Sequence, residues 1–243
     1  MAKRSGLGSQ FLVAGYDLSG DTNSLSRIGG GHGFTDGSAI NCLGYERIPT
    51  RRDGGMDFTA FFNDDAGASH AVLSALPTTD VCAIWASAGT IGAPGAGLIA
   101  KQADYALALA ADGALTASVT LNANNYGCHF GRMLTAGLQT DASATNSTGV
   151  DLAASTSFGL TAFLVVTSLG SGTPTVKIQD SADNNTFADV TNATFGTVDA
   201  LDNEIVQTAT GATVRRYVRV ATTGTFSNLE FAVVMAKHTA SAI

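Results

Sequence analysis

Residues able to do chemistry are scattered thinly along this chain of 243 residues. Its four histidines stand at 32, 70, 129 and 238, with no HxH or HxxxH spacing to put two on one face of a strand or helix. A zinc site would need them to converge through the fold, and nothing in the sequence asks for that. Asp180-Ser181-Ala182-Asp183-Asn184-Asn185 offers oxygen donors, but it has neither the central glycine nor the distal glutamate of a calcium loop. It reads as an Asx-turn between two strands. Ser69 and His70 are adjacent yet lie in no GxSxG elbow. Gly31-His32-Gly33 and Gly92-Ala93-Pro94-Gly95 match neither a dinucleotide fingerprint nor a phosphate loop. Asp64-Asp65 could pose as paired carboxylates, but a helix N-terminus attracts acids for its own dipole. The expectation is a protein without catalytic residues, cofactor or metal, and hence not an enzyme.

One charge cluster remains. Glu46-Arg47 and Arg51-Arg52-Asp53 fall inside the glycine-rich stretch Arg27–Gly55, where Ile40, Leu43, Tyr45 and Ile48 are scattered between the charges. Two readings stand open. The charges could cap a solvated loop tip, or Arg forks could clamp carboxylates on a neighbouring subunit. In the second case Ile40, Tyr45, Glu46, Arg47, Arg51, Arg52 and Asp53 are the candidate contacts between subunits or between rings.

The elements that would position these residues are mostly strands. Ala103, Tyr105, Leu107 and Leu109 share one face, opposite Asp104 and Ala106, and Ala117, Val119 and Leu121 repeat the pattern after Ala111-Asp112-Gly113. Alternation on both sides of an Asp-Gly pair is a hairpin signal. Further strands are expected at Gln10–Leu18, Met56–Asn63, Val81–Ser87, Phe163–Ser168, Thr175–Asp180, Val214–Thr222 and Leu229–Lys237. One short helix fits Ala66–Leu76, capped by Asp64 or Asp65 and ended by Pro77. Arg27–Gly55 is too long for an ordinary turn and reads as a long extended loop; as two arms of equal length it could reach about 45 Å. Gln139–Ser157, rich in Ala, Ser and Thr, reads as a linker between two units. The resulting organisation is a β domain over 1–140, a linker over 141–157 and a second small β-sandwich over 158–243.

Composition narrows the function classes. Charged residues make up only 14 % of the chain, below the roughly 25 % usual for soluble domains, and Gly, Ala, Ser and Thr take their place. A lightly charged surface fits a protein covered by partners. The net charge is −7, with 8 Lys/Arg against 12 Asp/Glu up to residue 150 and 5 against 8 beyond it. So acidic a chain should not grip nucleic acid, whose binding draws on cations that neutralise phosphates. Three cysteines (Cys42, Cys82, Cys128) without CxxC spacing argue for reduced thiols and cytoplasmic assembly. No apolar run follows the basic start, so neither a secretion signal nor a membrane span is expected.

Taken together, Lys3-Arg4-Ser5-Gly6-Leu7-Gly8 leading into Phe11–Asp21, Arg52-Asp53-Gly54-Gly55-Met56 leading into Phe61-Phe62-Asn63-Asp64, His70 to Asp80, Met133-Leu134-Thr135-Ala136-Gly137, and Thr210-Gly211 through Arg215–Val220 to Phe226 resemble the major tail proteins of siphovirus-type phages, especially those of actinobacterial hosts. The likeness lies in strand and turn patterns, not in chemistry. It implies a mainly β, tail-tube-like β-sandwich with one flanking α-helix and a long loop that touches neighbouring subunits, followed by a second small β-sandwich on the outside. It also implies stacked rings, usually hexameric, around a channel in which double-stranded DNA passes as non-specific cargo. The partners implied are further copies of the chain, a tape-measure protein, a tail terminator and a distal tail protein, in a virion assembled in the host cytoplasm. Two rival expectations are a capsid decoration protein and a virion-surface carbohydrate- or receptor-binding module.

Overall fold

The Asp-Gly hairpin forms where the alternation places it. Strands β6 (Pro94–Leu109) and β7 (Leu115–Met133) meet at a turn in which Gly113 N–H donates to Ala110 O and Ala110 N–H to Ala114 O. Gly113 sits at φ +91°, a conformation that costs a glycine little. The computed structural model describes residues 5–239, so Lys3 and Arg4 of the stretch quoted above lie outside the described residues.

The remaining elements, in chain order, are β1 (Gln10–Val13), β2 (Tyr16–Asp17), β3 (Thr22–Asp36), β4 (Arg47–Phe61), α1 (Ser69–Leu73) and β5 (Val81–Ala86) before that hairpin. After it come β8 (Gln139–Asp141), β9 (Val150–Asp151), β10 (Leu160–Ser181), β11 (Ala188–Thr194), β12 (Asn203–Gln207) and β13 (Tyr217–Lys237). The fold is mainly β, of sandwich type, with one short helix. All strand pairs are antiparallel, and the main path runs β11-β10-β13-β7-β6-β5-β1-β2.

β6 and β7 are long enough to serve two layers. The first half of β6 (95–100) pairs with β5, while the first half of β7 (116–122) pairs with β4, which in turn pairs with β3. Phe11, Ala83 and Leu98 of one layer face Met56, Phe58, Val119 and Leu121 of the other in one buried cluster. Phe11 and Phe58 meet edge to face, with ring centroids 4.8 Å apart. A second core lies between β10, β13 and β11, built from residues such as Leu164, Val176, Phe195 and Phe231. A third, with Ile84, Met133, Phe163 and Val234, joins the two.

Three sequence expectations need correction. The helix is shorter than Ala66–Leu76: it spans Ser69–Leu73, its N-cap is Ala68, and neither Asp64 nor Asp65 caps it. Asp21, from the β2–β3 connection, takes that role from outside, accepting from Ser69 N–H at 2.9 Å. The Arg27–Gly55 stretch is no irregular loop. It forms most of a β3–β4 hairpin whose register runs from Thr22↔Ala60 to Asp36↔Arg47. Its glycines serve close approach, because a Cβ on Gly30 would lie 2.8 Å from Cys128 O and one on Gly54 2.6 Å from Cys128 N. Finally, 141–157 is not free chain. β8 and β9 pair with β13, isolated bridges join Asn146 to Ala221 and Thr156 to Val214, and the Arg216 fork binds Asp151.

Candidate subunit interface

The layer β3-β4-β7-β6 carries the features most open to a partner. Its register aligns residues in rows. Arg27, Asp57, Thr120 and Asp104 make one row, and Ser24, Thr59, Ser118 and Ala106 make another. These rows lie on the face turned away from the core, which is lined mainly by hydroxyl and other small side chains. The rows between them point inward: Leu25, Phe58, Val119 and Tyr105, then Thr22, Ala60, Ala117 and Leu107. Helix α1 packs on the inward face, where His70 Nδ1 lies 2.7 Å from Tyr105 Oη and Gln102 donates to Leu73 O.

Both sides of this layer end in strand edges that no described residue pairs. The part of β6 from Lys101 to Leu109 pairs with β7 alone, and β3 pairs with β4 alone. Unpaired edges of this length are templates for another strand. The β6 edge carries the charges Lys101 and Asp104, and its Leu107 and Leu109 are 49 % and 74 % exposed.

Beyond Gly31 and Asp53 the β3–β4 hairpin leaves the layer as an arm. Its five-residue strand segments from His32 to Asp36 span about 16 Å at ~3.3 Å per residue. At its end Gly37 N–H donates to Glu46 O at 2.7 Å, while the Ser38 amide donates to Asp36 at 2.9 Å and the presence of Ser38 lowers the Asp36 pKa. The candidate contact residues fall into two groups on this arm. Ile40, Tyr45 and Glu46 lie in the tip, with Arg47 at the first position of β4, whereas Arg51, Arg52 and Asp53 lie lower on the stem; all are exposed. The tip also bares Leu43 and Cys42. Among the described residues, Glu46, Arg47 and Arg51 take part in no ion pair within the chain.

The scattered chemistry of the sequence is mostly explained by local bonding. Asp183 accepts from Asn185 and Thr186 N–H in an Asx-turn, and these bonds, Thr186 first, pull its pKa to about 2. Ser69 donates to Phe61 O and His70 turns to Tyr105, so the two form no dyad. Arg215 binds Asp180, and Arg219 lies over the Phe187 ring. Among the described residues no three His, Cys, Asp or Glu side chains are placed to hold a metal ion. One pairing has no signal in the sequence. His129 and His238 meet beneath the arm's base, beside Gly30, Arg52, Asp53 and Lys237.

No family model matches the chain, and no curated protein matches it. Among solved structures it is similar to the Dit protein of phage SPP1, described as a paradigm of the hub adsorption apparatus of phages infecting Gram-positive hosts. That match has 11 % identity, covers 95 % of this chain and 99 % of that one, and has a TM-score of 0.35. It is also similar to chains of the phage p2 baseplate in its activated conformation, with Sr at 11 % identity and a TM-score of 0.33, and with Ca at 8 % and 0.32. These cover 97 % and 98 % of this chain and 99 % and 100 % of those chains. Scores at this level fall short of a shared fold.

Proposed function

We propose that this chain is a structural protein of a bacteriophage tail, its copies joining edge to edge into rings of six that stack into a tube for double-stranded DNA. The observation that supports the reading is the pair of open edges on the β3-β4-β7-β6 layer. Four strands are an even number and alternate in direction. Rotating one copy onto the next therefore sets β6 antiparallel to the neighbour's β3, as inside each subunit, and a ring of such contacts leaves no edge open. The core covers one face of the layer, so the other would line the channel. That face is mostly Ser, Thr and Ala with Asp57, Asp104 and Arg27, which gives phosphates few cations to hold them. The arm, with its bare Ile40, Leu43 and Tyr45, would reach the adjoining ring.

Residues from 158 onward would form an outer domain whose core also takes in Leu134 and Val150, and 141–157 would mark the boundary. Limited proteolysis is then expected to cut first in the exposed bend Ala142–Ala144; resistance there would remove the boundary.

Electron microscopy of the purified protein tests the function. Six-fold rings or tubes with a channel of roughly 20–40 Å, wide enough for a duplex, are expected. Compact trimers, or monomers at every concentration, would overturn it.

A further inference from the structure

The two open edges carry matched chemistry, and the ring reading on which this inference rests does not say which residues meet across the seam. We propose that Asp104 on the β6 edge pairs with Arg27 on the β3 edge of the next copy, while Leu107 seats in a groove beside Trp85 of that copy.

The rows set the argument. Arg27 and Asp104 are the two ends of one row, Arg27–Asp57–Thr120–Asp104, so a cation closes one side of the layer and an anion the other. Arg27 approaches Asp57 only to 3.7 Å and stays about half exposed; Asp104, among the described residues, makes no ion pair. The Asp57 oxygen that faces Arg27 is Oδ2; its other oxygen, Oδ1, is buried without a hydrogen-bond partner. With no shift of register at the seam, placing the β6 edge antiparallel against the next copy's β3 brings the two ends of this row together.

The opposite face of the seam agrees with that register. Thr22 and Leu107 are the two ends of another row, so matching Asp104 with Arg27 sets Leu107 against Thr22 of the next copy, with Leu109 one repeat further along. Thr22 borders a groove of about 520 Å³ whose walls include Phe11, Leu25, Ile28 and Trp85. The groove opens along the β3 edge, on the same inward-facing side that exposes both leucines. A single docking therefore joins opposite charges on one face and covers apolar side chains on the other. Charge complementarity of this kind fixes the register of an association as well as its partner.

The test is assembly by complementation. In D104R the seam would set Arg against Arg, and in R27D Asp against Asp. Each variant alone is expected to need an about tenfold higher concentration than the wild type to form rings. An equimolar mixture can alternate the two around an even-numbered ring, every seam then joining Arg to Asp, and is expected to assemble at nearly the wild-type concentration. D104N and R27Q, which remove one charge without reversing it, should fall between. L107Q should weaken assembly without lowering the melting temperature. Variants that assemble as well as the wild type, or a mixture no better than its components, would overturn the seam. A wild type that forms no rings would fail in a different way and take the ring reading with it.

Discussion

His129 on β7 and His238, just past the end of β13, stack with ring centroids 5.9 Å apart and planes 28° from parallel, each only 6 % exposed. His129 Nε2 lies 2.7 Å from Tyr126 O, and His238 Nε2 lies 2.9 Å from Thr161 Oγ1. Burial lowers the pKa of both, opposed in each by a carbonyl neighbour and reinforced by the positive charge of Arg52. Arg52 and Asp53 from β4, His32 from β3 and Lys237 from β13 surround the pair.

This geometry fixes the sign of a pH effect. Between the depressed values and the ordinary 6.5, the unfolded chain binds protons that the folded one refuses. Stability is therefore whole above about pH 6.5 and falls as pH drops, by up to ~1.4 kcal/mol per pH unit for each proton. Thermal melts of the wild type between pH 7 and 5 should show the loss, and H129Q/H238Q should show a shallower one. An equal slope in both proteins would mean that other groups govern the acid response.

The arm's base depends on missing side chains. Ala at 54 would press its Cβ to 2.6 Å from the Cys128 nitrogen, whereas Gly31 has nothing within 4 Å. G54A should cost roughly 1–3 kcal/mol in denaturant unfolding, and G31A well under about 1. If the two are equally mild, β7 does not hold the arm as described.

Two ion pairs in the C-terminal part of the chain should behave differently. Asp180 is buried and accepts from Arg215 N–H and Nε at 2.7 Å each, so D180A leaves a half-buried guanidinium without its carboxylate, held only through the backbone carbonyl of residue 180. A loss of roughly 3 kcal/mol is expected. Asp151 holds Arg216 in the open, its own pKa drawn down to about 2 chiefly by that contact, and D151A should barely move the melting temperature.

The tip of the arm should matter to assembly and not to folding. I40D/L43D alters two fully exposed side chains, so the melting temperature should stay within about a degree or two. Under the proposed function, rings should still form but tubes should shorten several-fold by electron microscopy. Tubes of normal length would show that the tip does not join rings.

Much of the strand pattern could be read from residue order alone, because alternation is a local signal. The β6–β7 hairpin follows from Tyr105, Leu107, Val119 and Leu121 about Asp112-Gly113, and β5 follows from Val81–Ala86. β10 and β13 were each expected as two strands. Each is one, carried through the positive-φ glycines Gly172 and Gly224. The Gly29–Gly31 run reads as loop, since glycine shows no side-chain period, and only Cys128 packed against the ribbon reveals its purpose. Neighbours along the chain thus determined which segments could be strands, their low charge, and the glycines of the arm. The Asp21 cap on α1, the His129–His238 stack and the facing of Arg27 away from Asp104 were decided only in three dimensions. Each joins residues tens of positions apart, and strand register, which one inserted residue reverses, brings them together.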